Sequence, residues 1–123
     1  MTTRLERIAG GLAATGPPDG AARAMVREAG VDTLGCVLGG AMVPDAMRAR
    51  AALWSEAGGS PLFGTGATAA PSAAALLNAL AGHALDFDDT EPAGNTHPSV
   101  VIFPALWAVA ATRGAIPGET AAA

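Results

Sequence analysis

The sequence predicts an all-α fold, and three observations carry that expectation. Apolar residues recur three and four positions apart through most of the chain, the spacing that places them on one side of a helix. Half of the 123 residues are hydrophobic, yet there are two Trp, three Phe and no Tyr, so the core must come from Ala, Leu, Val and Gly. Small side chains of that kind suit helices packed at short range. Proline, glycine and aspartate fall between the periodic stretches, where helices begin and end. The length is that of one ordinary domain or a piece of a larger one.

Residues 3 to 14 read as a short helix, with Leu5, Ile8 and Leu12 on one face and Arg4, Glu6 and Arg7 solvated. Gly16-Pro-Pro-Asp-Gly20 stops it. Asp19 can cap a second helix whose apolar positions are Ala22, Met25, Val26, Ala29, Leu34, Val37 and Leu38. Gly30, Gly35, Gly39 and Gly40 each cost up to about 1 kcal/mol against alanine there, and close approach of another helix is the usual compensation. Met42-Val-Pro-Asp45 ends that helix. Residues 45 to 57 form a third, with Met47, Leu53 and Trp54 available for packing.

Ser60-Pro-Leu-Phe-Gly64 is a brief extended segment, a candidate edge strand. A fourth helix runs from Ser72 to Leu85, with Leu76, Leu77, Leu80 and Leu85 on its buried side. Pro98 suits the first turn of a fifth, which continues through Val100, Val101, Phe103, Leu106 and Trp107. Pro104 should kink this helix or delay its start. Ile116-Pro-Gly-Glu-Thr120 looks like the cap of a sixth, and the chain stops one turn in, so a truncated protein is expected.

The net charge is −4 and the seven basic residues are all arginines, with no cluster of them to follow a phosphate backbone. Nucleic acid is therefore not expected as a partner. The single cysteine, Cys36, excludes an internal disulfide and sits in an apolar run that suits a buried, inert thiol. Residues 57 to 85 carry no formal charge but are broken by glycine and proline, and residues 98 to 112 fall short of the roughly 20 needed to span a bilayer. No membrane span is expected. Without a signal-like N-terminus, the simplest location is cytoplasmic.

Chemistry concentrates in residues 83 to 99. Asp86, Asp88, Asp89 and Glu91 lie there, as do both histidines, His83 and His97. Charge this dense between apolar segments is solvated, paired or in use. If the turn at Asp86 is near-helical, Asp86 and Thr90 share a face, Asp89 is three residues from Asp86, and Asp88 points elsewhere. The loop Pro92-Ala-Gly-Asn-Thr96 is long enough to fold His97 back toward that face. His97 also precedes the Pro98 helix start, where free amides favour an anion. This constellation fits proton transfer on a carboxylate-bearing substrate, with His97 as acid or base and Asp86 as its partner. A solvated helix end with capping residues accounts for the same stretch, and His83 reads as structural.

Two other readings use parts of the cluster. Asp86-Phe-Asp-Asp89 matches the acid motif of class II terpene cyclases, but those need aromatic rings to stabilise carbocations, and this chain has few. A Mg²⁺ site of Asp88, Asp89 and Glu91 draws on oxygen ligands alone. Pro92 and the want of a second acidic cluster count against it, and no metal is expected.

The run Ala74-Ala-Leu-Leu-Asn-Ala-Leu-Ala-Gly-His83 into Ala84-Leu-Asp-Phe-Asp-Asp-Thr90, followed by His97-Pro-Ser99 and Pro104-Ala-Leu106, resembles the MmgE/PrpD family. Asp32-Thr-Leu-Gly-Cys-Val-Leu-Gly-Gly40 is similar to that family's N-terminal helix. The family includes 2-methylcitrate dehydratase and cis-aconitate decarboxylase. The resemblance implies that residues 1–123 are the N-terminal segment of a large helical domain, with an α/β lid absent from this chain. It further implies a homodimer acting on di- or tricarboxylic acids without metal or organic cofactor. The family's active-site Asp, Thr and His in this motif fall on Asp86, Thr90 and His97, with Asp89 supporting the loop. Its further active-site lysines and histidine come later, whereas this chain has no lysine and no histidine beyond His97. The expectation is one side of an active site, inactive alone; a non-catalytic helical or dimerisation module is the alternative.

Overall fold

The computed structural model describes residues 2–53 and 58–115, and helices dominate them. Five are present: α1 Arg4–Ala14, α2 Gly20–Gly40, α3 Pro44–Leu53, α4 Pro71–His83 and α5 Pro98–Thr112. Between α3 and α4 two short strands, β1 Ser60–Leu62 and β2 Ala67–Ala69, pair antiparallel with Ser60 opposite Ala69. The all-α expectation is corrected to that extent: the extended segment at residue 60 is one arm of a hairpin.

Local chemistry explains most of the boundaries. Thr3 and Glu6 close a reciprocal capping box on α1, the Thr3 amide donating to Glu6 Oε2 at 2.6 Å and the Glu6 amide to Thr3 Oγ1 at 3.2 Å. Asp19 caps α2 by accepting the Ala22 amide at 2.8 Å. Proline occupies the first turn of both α4 and α5, where its missing N–H costs nothing. Pro104 lies inside α5, which neither starts late nor stops there. The third helix was expected over 45 to 57; α3 ends at Leu53, and residues 54–57 lie outside those described. The expected sixth helix at Ile116 also lies outside them.

α4 is the central element, packed against both α2 and α5. Of the leucine stripe that periodicity suggests, Leu77 is buried and the rest is not. Ala74, Leu77, Asn78, Ala81 and Gly82 are buried, while Leu76, Leu80 and Leu85 are exposed. Small residues face inward because the neighbouring helices come close. A Cβ at Gly40 of α2 would overlap the Ala81 carbonyl oxygen, and one at Gly82 would lie 2.9 Å from Val100 Cγ1 of α5. Gly30 and Gly39 likewise meet Phe103 and Leu85, whereas nothing approaches Gly35.

The core has two linked parts. Val37, Ala46, Ala81, Phe103 and Trp107 form one, with the Phe63 ring edge-on to Trp107 at 5.3 Å between centroids. Leu62, Ala69, Ala74, Leu77 and Ala108 form the other, beneath the hairpin. Two buried polar side chains fasten the hairpin down. Asn78 Oδ1 accepts the Phe63 amide at 3.0 Å while its Nδ2 donates to the Pro61 carbonyl at 2.9 Å. The Ser60 hydroxyl donates to the Ala108 carbonyl at 3.0 Å. Among the described residues, no helix is long and apolar enough to cross a membrane.

Candidate active site

The site is built where α4 ends and α5 begins. α4 stops at His83, and after a short turn Asp86 adopts the left-handed conformation, φ +53°. That reversal breaks the near-helical register on which a shared Asp86–Thr90 face depended. It also swings Asp88, expected to point away from the Asp86–Thr90 face, back toward the helix end.

The following loop is tied rather than loose. Glu91 and Thr96 form an isolated antiparallel bridge, with the Glu91 amide donating to the Thr96 carbonyl at 2.8 Å. The Glu91 carboxylate accepts the Ala93 amide at 3.0 Å and the Gly94 amide at 2.5 Å. Closing residues 91 to 96 on themselves returns the chain, and His97 arrives beside the end of α4.

Asp88 lies at the centre, its side chain 1% exposed. Both of its oxygens lie within hydrogen-bond range of His83 Nδ1, at 3.1 and 3.2 Å. Its Oδ2 is also 3.0 Å from His97 Nδ1. That second approach is close but off the ring's N–H direction, so His97 Nδ1 is buried without a well-aligned hydrogen bond. The two imidazoles meet edge to face, 4.6 Å between centroids.

The predicted site residues divide. His97 and Asp86 are brought together: His83, Asp86, Asp88 and His97 each place one donor atom within 4.8 Å of the others. Nitrogen and oxygen donors at such spacing are of the kind a divalent cation accepts. Thr90 is exposed. Asp89 faces the other way, accepting the Ser99 amide at 3.1 Å and the Ser99 hydroxyl at 2.6 Å. The start of α5 does attract an anion, and the anion is this carboxylate. With Asp89 on Ser99 and Glu91 on its own turn, the suggested Mg²⁺ set of Asp88, Asp89 and Glu91 does not converge. Phe87, the aromatic inside the terpene-cyclase-like motif, is 78% exposed.

Sequence reasoning missed the inward turn of Asp88 and its contact with His83. The available signal was the helix end: once α4 stops at His83 and the chain reverses, residues three before and two after the reversal face one another.

An open groove of about 370 Å³ runs from His83 and His97 between α4 and α5, with Leu76, Leu80 and Val101 on its walls. On the other side, Cys36 of α2 is half-buried near the acidic turn. Burial pushes its thiol above the ordinary value, and the carboxylates of Asp32, Asp88 and Asp89 add to the rise.

Fold and site together define a helical domain that carries a histidine–carboxylate cluster at the junction of two packed helices. The chain belongs to the MmgE/PrpD family, whose N-terminal domain model matches residues 3–120. That family is made of lyase and dehydratase enzymes. No curated protein and no solved structure matches the chain.

Proposed function

We propose that the chain supplies the proton-transfer site of a cofactor-independent lyase, a dehydratase or decarboxylase, acting next to a carboxylate of a di- or tricarboxylic acid. The observation that supports this reading is the His97 imidazole held against buried Asp88, with Asp86 close by and an open groove alongside. A positioned imidazole beside a substrate cavity is suited to general acid–base work.

His97 takes the proton from the carbon α to a substrate carboxylate in dehydration, the freed electron pair forms the double bond, and the β-hydroxyl leaves as water with the proton that His97 has collected. In decarboxylation the C–C bond to CO₂ breaks and His97 returns a proton to the carbanion left behind. Asp86 orients the substrate hydroxyl, and Thr90 donates to a substrate carboxylate. The anionic substrate also needs cationic partners; the chain has no lysine, and the ion pairs found at the cluster among the described residues are His83–Asp88 and His97–Asp88. We place the protein in the cytoplasm.

Solvent-deuterium incorporation into 2-methylcitrate, cis-aconitate and related acids, followed by NMR, tests the proposal. The chain forms one side of the pocket and is expected to turn nothing over by itself; in a protein that also carries the cationic side of the pocket, exchange or turnover is expected to fall by about 10²–10⁴-fold in His97→Ala. Activity that survives His97→Ala overturns it.

A second reading has its own observation. α5 buries Phe103 and Trp107 yet exposes Val101, Ile102, Leu106 and Val109, an apolar face of the kind that drives association. We infer a homodimer through such a face. Light scattering on the purified chain tests it, and a strict monomer at high concentration counts against it.

A further inference from the structure

The geometry points to Asp88 as the positioning residue of this site: it holds a proton on Nδ1 of both His83 and His97, leaving Nε2 of each ring as its basic nitrogen. Asp88 is enclosed, and among the described residues the groups found against its oxygens are the two ring nitrogens, at 3.0 to 3.2 Å. A carboxylate presents only lone pairs, and a ring nitrogen without a proton does the same. Two lone pairs at that separation, away from water, repel each other. Each Nδ1 is therefore the protonated nitrogen in the neutral ring, whichever proton the free imidazole prefers. His97 Nδ1 has no aligned partner of its own, which makes the nearby carboxylate the group that sets its tautomer.

The consequence rests on the reading of His97 as a proton carrier: with Nδ1 occupied, Nε2 is the atom that collects the substrate's proton. His83, fixed through the same carboxylate, presents a second basic nitrogen of the same kind. The tautomers themselves do not depend on that reading.

Long-range ¹H–¹⁵N correlation spectra of the ¹⁵N-labelled chain, recorded with EDTA above the histidine titration range, report each ring's tautomer. The chelator keeps any stray ion off the ring nitrogens. There are two histidines, so His83→Gln assigns both sets of signals. The expected spectrum shows Nδ1–H in both rings. Asp88→Leu keeps the bulk but offers no acceptor, so at least one ring is expected to return to Nε2–H.

A wild-type ring found mainly as Nε2–H overturns the inference, as does an unchanged pattern in Asp88→Leu. Should that variant fail to fold, the wild-type spectrum alone decides. Failure of the proposed reaction appears separately, as activity untouched by His97→Ala while both rings keep Nδ1–H.

Discussion

Asp89 caps α5 from ten residues upstream, accepting both the amide and the hydroxyl of Ser99. His97, at the N-cap position itself, makes no side-chain cap, so Asp89 does that work from the preceding loop. The bond also fixes the ends of the segment that delivers His97. Removing the carboxylate in Asp89→Ala leaves the Ser99 amide unsatisfied and takes a favourable charge from the helix start. A loss of about 1–2 kcal/mol is expected, read from the urea unfolding midpoint. Ser99→Ala, which keeps the amide bond, is expected to lose about half as much. Equal losses would mean that the hydroxyl, not the cap, carries the contact.

The α2–α4 contact separates two glycines that look alike in sequence. At Gly40 an added methyl meets backbone, with the Ala81 carbonyl carbon 2.9 Å away and its oxygen nearer still, so the helices must part. Gly40→Ala is expected to cost about 3 kcal/mol or more. Gly35 has open space around it in the same helix, and Gly35→Ala is expected to gain up to about 1 kcal/mol from helix propensity. Thermal unfolding of the pair checks both signs, and a destabilised Gly35→Ala would remove the packing explanation.

How far the sequence was legible follows from what set each feature. Helix starts were readable because caps and prolines act locally: Asp19 and Pro98 stand where the structure begins α2 and α5. The buried face of α4 was not, because its leucines outrank alanine and glycine in hydrophobicity. Helix proximity, a long-range fact, hands the interior to Ala81 and Gly82. The hairpin escaped a fold-class reading because its three-residue strands are held by Asn78 and Ser60 rather than by an alternating pattern. At the site, the residue types and the stretch were legible. Their pairing was not, because one left-handed residue at Asp86 decides which carboxylate turns inward.

Cys36 gives a pH-dependent signature. Burial and the three nearby carboxylates disfavour its thiolate in the folded chain, so its alkylation by iodoacetamide near neutral pH should be slower than in the urea-unfolded chain. The linkage has a definite sign. Between the unfolded thiol's value, about 8.5, and the higher folded one, the folded state holds more protons, so stability falls as pH rises through that window. Cys36→Ser should flatten this part of the stability–pH curve. A folded thiol that reacts as fast as the unfolded one would contradict the burial argument.

Asp86 offers a way to separate backbone strain from chemistry. It is exposed and sits at φ +53°, a conformation that L side chains adopt at a cost of roughly 1–2 kcal/mol and glycine adopts freely. In Asp86→Gly the relief is partly offset by the greater freedom of glycine in the unfolded chain, about 0.4–1 kcal/mol. The net expectation is stability unchanged or raised by up to about 1 kcal/mol, whereas Asp86→Val, branched at Cβ, should lose about 1–2 kcal/mol. Under the proposed function the glycine variant nevertheless loses proton exchange on the substrate, because the carboxylate beside His97 is gone. A stable protein with impaired exchange would mean that the strained position is kept for its side chain. If Asp86→Gly instead unfolds more readily than the wild type, the carboxylate is holding the turn together and its place near His97 follows from structure alone.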